Sequence, residues 1–482
     1  MTSIPTPTEI AFSLLREGRL ADAENVIRRE VRAAADKYGT DSHQWASAQC
    51  DLGNILLSGD QISRAVDCFR AAADVPARDH ESGKDRLTYR LNVGLALRMA
   101  GRFDEAEAEL RQGLTERHDF YGPDHPGYAF GLEPLADLLR RAGKLDEARQ
   151  VAEQAVANLW RNGHERVSSA LALRAAIVFE LGGRPFDGSE FADLPDEVVA
   201  RTGQALVQIS DDKELILALT EALEHRLGPD HPGTLTALSA LANLAHDSDD
   251  EQTRISAIQR LLASYERQDL PEQALMAEQG LALAYGHAGD AEAGVRSYES
   301  AYHRAERLGS PEIVSQVLRN WGLALRDAGQ ETLAEQRLTE ALTQARRGTD
   351  PDMVGRAGVA LGLFLQHADR LPEARGALEE ALTVMDPVHP DAIVGRSHLG
   401  AVHEGRTCGC GDMPSTIADA FRDFVLTRLP TDLLAHLDVA VVDNDFKIDV
   451  HLKREPTEQE LERLNQVFQT AQAEFRHRLT RN

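Results

Sequence analysis

Two cysteines separated by a single glycine stand near the C-terminal end of the chain, in the segment "HLGAVHEGRTCGCGDMP". Thiolate and imidazole are the donors that Zn²⁺ prefers, and a carboxylate can complete a tetrahedral set. We therefore take Cys408, Cys410, His403 and Asp412 as candidate zinc ligands, with His398 as an alternative donor.

The spacing of these cysteines leaves three interpretations open. Cys-X-Cys brings two sulfurs together, but a structural zinc loop usually has at least two residues between its cysteines. A redox-active dithiol and a structural loop with incidental cysteines are therefore alternatives to a metal site. The neighbouring glycines permit the tight backbone that either a metal loop or a thiol pair needs.

The chain that precedes the Cys-Gly-Cys segment consists of a sequence repeat of about forty residues, and the last copies of this repeat position the segment. Representative copies are "LLREGRLADAENVI", "LRMAGRFDEAEAEL", "LRRAGKLDEARQVA" and "LRDAGQETLAEQRL". Each has an apolar stripe at helical spacing, a turn with glycine, and a second stripe that begins at a small residue such as Ala106 or Ala334. Short side chains let two helices cross closely, so the pattern predicts antiparallel helix pairs stacked into a solenoid.

The repeats resemble the tetratricopeptide repeat, in its roughly 42-residue variety found in kinesin light chains. The resemblance rests on pairs such as Val93-Gly94, Trp321-Gly322 and Leu361-Gly362, and on the linker "GPDHP" at 122–126 and 228–232. It implies an α-α superhelical solenoid that binds a peptide or protein segment in its concave groove.

The same resemblance implies a set of ligand-binding residues on the first helix of each pair. Asparagines at the position that contacts a peptide backbone in kinesin light chains are Asn92, Asn243 and Asn320, and Pro134 breaks this ladder. An amide both donates and accepts hydrogen bonds, which suits an extended backbone. Arginines near the same face, expected to receive ligand carboxylates, are Arg98, Arg140, Arg319 and Arg326.

The "GPDHP" linkers have a local structural interpretation. Glycine suits the left-handed residue that ends a helix, aspartate is a good capping residue, and proline fits the first turn of the next helix. His125 and His231 are then expected to be structural. Cys50 and Cys68 lie on apolar helical faces and are expected to be small buried thiols.

The sequence predicts a mostly α fold with a small C-terminal α+β domain of helix, β-hairpin and helix. Residues 437–454 alternate apolar and polar side chains about an Asp-Asn-Asp turn, which is typical of a hairpin. The predicted organisation is an N-terminal repeat block at 1–183, an irregular loop or hinge at 184–195, a second repeat block at 196–405, and the C-terminal domain at 406–482. One diverged repeat at 184–195 is an equal alternative to a hinge.

Composition excludes several classes of partner. The 482 residues carry 78 acidic and 52 basic side chains, a formal net charge of -26, spread along the chain. Binding to nucleic acid or to an anionic membrane depends on clustered Lys and Arg, so neither is expected. Four cysteines and the lack of a leader-like N-terminus favour a cytoplasmic protein.

No phosphate-binding loop, zinc-protease motif or nucleophile elbow accompanies the repeats, so an enzyme is not expected. We expect a scaffold or adaptor for protein partners, with no certain cofactor. The alternative is a metal- or redox-responsive regulator that uses Cys408 and Cys410. The hairpin could also pair strands between two copies and form a homo-oligomer.

Overall fold

The structure is a computed structural model of the chain. It describes residues 5–186, 193–429, 434–442, 445–454 and 456–480, apart from a few side chains, among them that of Asp412. The chain forms two compact units, 1–244 and 245–482. Each unit is described by itself.

The first unit is a series of helices connected by short turns. The helices are α1 (Pro7–Arg16), α2 (Leu20–Tyr38), α3 (His43–Ser58), α4 (Ile62–Ala73), α5 (His80–Met99), α6 (Phe103–Tyr121), α7 (Pro126–Arg141), α8 (Leu145–Arg161), α9 (Val167–Glu180), α10 (Asp196–Ile209) and α11 (Lys213–Leu227), and the division between the units falls within α12 (Pro232–Asp247). Consecutive helices pack as pairs, α1 with α2 through α7 with α8, and α9 packs with α10.

The second unit continues with the same kind of helix pair. Its helices are α13 (Glu251–Arg267), α14 (Pro271–His287), α15 (Ala291–Leu308), α16 (Pro311–Asp327), α17 (Glu331–Ala345), α18 (Pro351–His367), α19 (Leu371–Val384) and α20 (Pro390–His403). The predicted antiparallel pairs and the mostly α fold are confirmed. Within the described residues, no helix is long and apolar enough to cross a membrane.

Glycines of the first helices are the points at which the two helices of a pair cross. A β-carbon on Gly94 would lie 2.5 Å from Leu110, and one on Gly362 would lie 2.7 Å from Leu378. These two leucines are buried, each in the second helix of its pair. The glycine therefore forms the space that the leucine fills, which explains why the repeat needs a small residue at this position.

Most turns inside the pairs contain the predicted glycine, and it takes the left-handed conformation. Gly101 has φ 71° and Gly143 has φ 74°. The second turn also contains a glycine, Gly59, but there the next residue, Asp60, takes the left-handed conformation, with φ 56°. Short polar side chains tolerate the left-handed region better than other residues, which explains the exchange.

The linkers confirm a structural role for the histidines and correct the choice of cap. The ring Nδ1 of His125 accepts a hydrogen bond from Gly127 N at 2.9 Å, and His231 does the same for Gly233 N at 3.0 Å. The capping residue is thus histidine, not the aspartate before it. Proline occupies the first helical position, so the residue just before it must be the cap.

The C-terminal domain is the predicted helix, hairpin and helix. α21 (Met413–Leu426) follows a short 3-10 turn, β1 (Leu434–Val442) pairs antiparallel with β2 (Asp445–Leu452), and α22 (Glu458–Thr480) ends the described chain. Its core centres on Phe421, which stacks on Phe446 at 4.1 Å and meets Phe475 edge-on. Val388 and Ile393, at the last repeat helix, belong to the same core. The domain therefore covers the end of the repeats.

The predicted domain limits stay predictions. Residues 187–192 of the predicted loop at 184–195 lie outside the described residues. On the C-terminal side of this segment the chain forms α10 and α11. Self-association through the hairpin also stays a prediction.

The helix crossing in the pair α18 and α19 gives a direct test. We expect Gly362→Ala to lower the free energy of unfolding by about 1–3 kcal/mol, because the new methyl group meets Leu378. The control is Gly376→Ala in α19, where nothing lies within 4 Å of the added carbon. This change should raise the free energy by about 0.5–1 kcal/mol through helix propensity. Urea denaturation followed by circular dichroism measures both, and an equal effect would contradict the account.

Candidate functional site

Polar side chains on the first helices of the first unit contact one another from repeat to repeat. We call this set the first-helix surface of the unit. Its contacts are Thr8 to Asp51, His43 to Asp85, Asn92 to Cys50, Arg98 to Asp137 and Arg140 to Glu180. The partners stand 39 to 43 residues apart in the chain, which is one repeat.

The predicted ligand-binding residues of this unit take part in these contacts. The amide of Asn92 donates to the sulfur of Cys50 at 3.5 Å. Arg98 pairs with Asp137, and Arg140 pairs with Asp137 at 3.1 Å and with Glu180 at 2.5 Å. The side chains of Asn92, Arg98 and Arg140 are half-buried. Asn243, in α12, is exposed.

The second unit places its predicted residues in a similar way. Asn320 donates to Gln279 Oε1 at 3.4 Å, and these two residues are 41 apart in the chain. Arg319 lies 3.8 Å from Asp391, and Arg326 pairs with its neighbour Asp327 at 2.7 Å. The guanidinium groups that were expected to receive ligand carboxylates thus already contact carboxylates of the chain.

The acidic partners of these arginines are residues of the candidate surface that the sequence interpretation missed. Asp137 lies 39 residues after Arg98, and Glu180 lies 40 residues after Arg140. Equivalent positions of successive first helices are neighbours in a solenoid. A search for opposite charges one repeat apart would have found both pairs.

The Cys-Gly-Cys segment forms a second candidate site, in the second unit. The two sulfurs of Cys408 and Cys410 are 2.9 Å apart, and Cys410 Sγ lies 3.8 Å from His398 Nε2. All three ligand atoms lie within 4.8 Å of one another. Both cysteines are exposed, whereas His398 is buried. The hydrogen bond with Cys408 raises the pKa of the Cys410 thiol.

The structure does not bring His403 to the cysteines. Its imidazole lies 3.5 Å from Glu379 and is half exposed. His398, and not His403, is the histidine next to the cysteines. The two histidines are five residues apart in α20, which corresponds to a rotation of roughly 140° about the helix axis, so they point to different sides of the helix. Asp412, the remaining predicted ligand, has its side chain outside the described part of the structure.

A buried glutamine holds the ring of His398 from behind. Gln366 Oε1 lies 2.7 Å from His398 Nδ1, and Gln366 Nε2 donates to the carbonyl of Arg406 at 2.9 Å. Because the amide nitrogen of Gln366 donates to the carbonyl of Arg406, the amide oxygen of Gln366 is the atom that faces the histidine, and it accepts a hydrogen bond from Nδ1–H of His398. The lone pair of the ring is then on Nε2, which faces Cys410. The sequence carries no signal for this role, since Gln366 is one polar residue near the end of its helix, next to His367, and belongs to no recognisable motif.

Another group of potential metal ligands combines His246, Glu251 and His287. The guanidinium of Arg254 lies 3.1 Å from Nδ1 of His246 and 3.2 Å from Nδ1 of His287. It also pairs with Glu251 at 3.2 Å. A cation of the chain itself therefore occupies the centre of this group, which makes it an ion-pair cluster.

Of the other two cysteines, one is the buried thiol that was expected and the other is less buried than expected. Cys50 is buried and Cys68 is half-buried. Burial raises the pKa of Cys50 to about 12 and that of Cys68 to about 11. Both are therefore protonated and weakly nucleophilic near neutral pH.

Comparisons with known proteins agree with the repeat architecture. Residues 85–159 match the family model described as tetratricopeptide repeat. No curated protein matches the chain. The match covers helices α5 to α8, and the same helix pairs are present on both sides of it.

Solved structures are similar to parts of the chain. A kinesin light chain from Podosopora anserina, with nearly identical TPR-like repeats, is 16% identical, covers 43% of this chain and 100% of its own, and has a TM-score of 0.33. BtubC from P. vanneervenii is 19% identical over 52% of this chain and 90% of its own, with a TM-score of 0.28. The apo form of RapI is 10% identical, covers 59% of this chain and 97% of its own, and has a TM-score of 0.36.

The exposure of the four cysteines predicts their reactivity. In reduced, chelator-treated native protein at pH 8, we expect Cys408 and Cys410 to react quickly with a thiol reagent and Cys50 only after unfolding. At this pH the thiolate fraction of Cys50 is on the order of a thousandfold below that of an ordinary cysteine. Stopped-flow absorbance counts the thiols in each phase. In the control Cys408→Ser/Cys410→Ser the fast phase should vanish, and rapid native labelling of Cys50 would contradict the assignment.

Proposed function

Because the chain is a tetratricopeptide repeat protein, we propose that it is a scaffold that binds a peptide or protein segment along its first helices. Tetratricopeptide repeats are protein-interaction modules, and a solenoid offers an extended surface to a partner. The repeat fold is typically not enzymatic. The finer proposal is that the bound segment lies in the concave groove.

The geometry of the first helices supports the location. Successive first helices contact one another directly, α3 with α5 and α5 with α7 in the first unit, and α16 with α18 in the second. Helices that approach each other in this way lie on the inner side of a curved array. The proposed groove is therefore lined by the first helices within each unit.

The single observation that carries the proposal is the first-helix surface. Its Asn92 amide and its ion pairs are connected from repeat to repeat and supply both donors and acceptors, and Asn320 makes a contact of the same kind in the second unit. An extended backbone presents donors and acceptors in alternation, so such a surface can pair with it whatever the side chains are. The arginines would exchange a carboxylate of the chain for one of the ligand, which tunes specificity more than affinity.

The asparagines provide the first test. The double variant Asn92→Ala/Asn320→Ala removes two amides that make weak contacts to Cys50 and Gln279, so its helical content should be unchanged. We expect recovery of protein partners in affinity purification with quantitative mass spectrometry to fall by at least about fivefold, which corresponds to ~1 kcal/mol. Undiminished recovery with an unchanged circular dichroism spectrum would remove the asparagines from the site.

Two arginines in matched ion pairs test the surface itself. Arg140 joins the first helices α7 and α9 through Glu180 at 2.5 Å, and Arg111 joins the second helices α6 and α8 through Glu147 at 2.5 Å. Each also pairs with a carboxylate of its own helix. Arg140 is the more buried of the two arginines, so Arg140→Ala should lower the melting temperature somewhat more than Arg111→Ala, whose exposed pairs contribute about 0–1 kcal/mol. Partner recovery is therefore compared at a temperature at which both variants are fully folded by circular dichroism. We expect Arg140→Ala alone to reduce partner recovery, and equal recovery by both variants would place the binding surface elsewhere.

A further inference from the structure

The loop after the last repeat helix is held against that helix at the residue between the two cysteines. Ser397 Oγ donates to the carbonyl of Gly409 at 2.6 Å. A β-carbon on Gly409 would lie 2.5 Å from the carbonyl oxygen of Ser397 and 2.7 Å from Cα of His398. Only glycine allows the loop to come this close. The contact fixes the backbone on which Cys408 and Cys410 stand on either side.

The loop is also fixed from its other end. Arg406 donates to the carbonyl of Cys408 at 3.1 Å, and its own carbonyl accepts from Gln366 at 2.9 Å. The backbone N–H of Cys410 donates to Cys408 Sγ at 3.3 Å. Hydrogen bonds of this kind stabilise the negative sulfur of a thiolate, and they are typical of the surroundings of metal ligands.

From this arrangement we propose that His398 Nε2, Cys408 Sγ and Cys410 Sγ bind a thiophilic divalent cation such as Zn²⁺. Three protein ligands leave one position of a tetrahedron for a further donor such as water. Binding is coordination without a change of oxidation state, and the two thiols release their protons as the ion enters.

The sulfur–nitrogen distance is close to the one that the ion requires, whereas the two sulfurs are closer together. Zn–S bonds of about 2.3 Å and Zn–N bonds of about 2.0–2.1 Å place a sulfur and a nitrogen of one tetrahedron about 3.5 Å apart and two sulfurs about 3.8 Å apart. The distance from Cys410 Sγ to His398 Nε2 is 3.8 Å, and the two sulfurs are 2.9 Å apart. The sulfurs are about 0.9 Å closer than in such a tetrahedron, so coordination requires the exposed Cys408 side chain to move away from Cys410.

The histidine distinguishes a metal site from a dithiol. A pair of cysteines that forms and breaks a disulfide needs only its two sulfurs. Here a buried imidazole, 4% exposed, is oriented by the fully buried Gln366 so that Nε2 faces a sulfur. An outer hydrogen bond of this kind sets the tautomer and orientation of a metal-binding histidine. A disulfide-forming pair of thiols would not need this oriented imidazole, whereas a metal site would use it as a ligand.

The experiment uses the full chain without a histidine tag, reduced and freed of metal by a chelator. The wild type should bind one Zn²⁺ per chain in competition with a fluorescent chelator. With Co²⁺ it should show the visible absorption of a tetrahedral site together with a thiolate-to-cobalt charge-transfer band. Since Zn²⁺ binds the native state, its addition should raise the melting temperature by at least about 2 °C.

Variants of single residues identify the ligands, and the two that matter most, at Cys410 and His403, change exposed side chains. We expect Cys410→Ser to lose the charge-transfer band and to weaken Zn²⁺ binding on the order of 100-fold or more, beyond the 10–100-fold effect of an outer hydrogen bond. The matched control is His403→Gln. His403 is the exposed histidine of α20, the helix that also carries His398, and this variant should bind Zn²⁺ like the wild type. A second control, Cys68→Ser, removes a thiol elsewhere in the chain and should also bind like the wild type.

Three results would overturn the proposal. The first is a wild type that takes up less than one ion per chain, with a melting temperature that the ion does not change. The second is equal loss of binding in Cys410→Ser and His403→Gln. The third is a reduced protein that binds no ion but whose Cys408 and Cys410 form a disulfide on exposure to an oxidant, which would identify a redox pair.

Discussion

Close approach of two helices within each pair is the constraint on which the rest of this structure depends. Glycine on the first helix meets a large apolar side chain on the second, as at Gly94 with Leu110 and Gly362 with Leu378. The methylene and methyl groups of the leucine fill the volume that a β-carbon would otherwise take. Because this contact recurs in both units, the pairs that have it cross in a similar way and can stack on one another with similar geometry.

Uniform stacking has an electrostatic consequence on the first helices. Polar residues one repeat apart are brought opposite each other, so Arg140 meets Glu180 and Asn92 meets Cys50. Half-buried polar groups need partners, and their neighbours in adjacent repeats supply them. The same groups form a connected surface of donors and acceptors, which is the property that a protein-binding scaffold uses.

At the last repeat helix, glycine again permits a close approach, but here the helix is approached by a loop and not by a second helix. α20 is followed by a loop and not by a second helix of the usual kind, and the glycine is on the loop side, at Gly409. The face of α20 that carries Ser397 and His398 is therefore covered by the Cys-Gly-Cys segment. A site with two sulfurs and an imidazole arises because the repeat pattern ends there.

The sequence by itself determined the repeat, the helix pairs, the small residues at their crossings and the C-terminal hairpin. Apolar periodicity, turn residues and small residues are local signals, and each of them records a contact within one pair or one hairpin. The capping by His125 departed from the expected aspartate, since several residue types satisfy the same local requirement.

Tertiary structure alone decided the surroundings of the candidate sites. It separated His403 from the cysteines, selected His398, and placed Gln366 behind its ring. Gln366 and His398 are 32 residues apart, so they meet only when two first helices stack and the following loop folds back. The direction of a side chain around a helix axis, and the neighbour that it meets there, depend on this packing, which no local pattern in the sequence records.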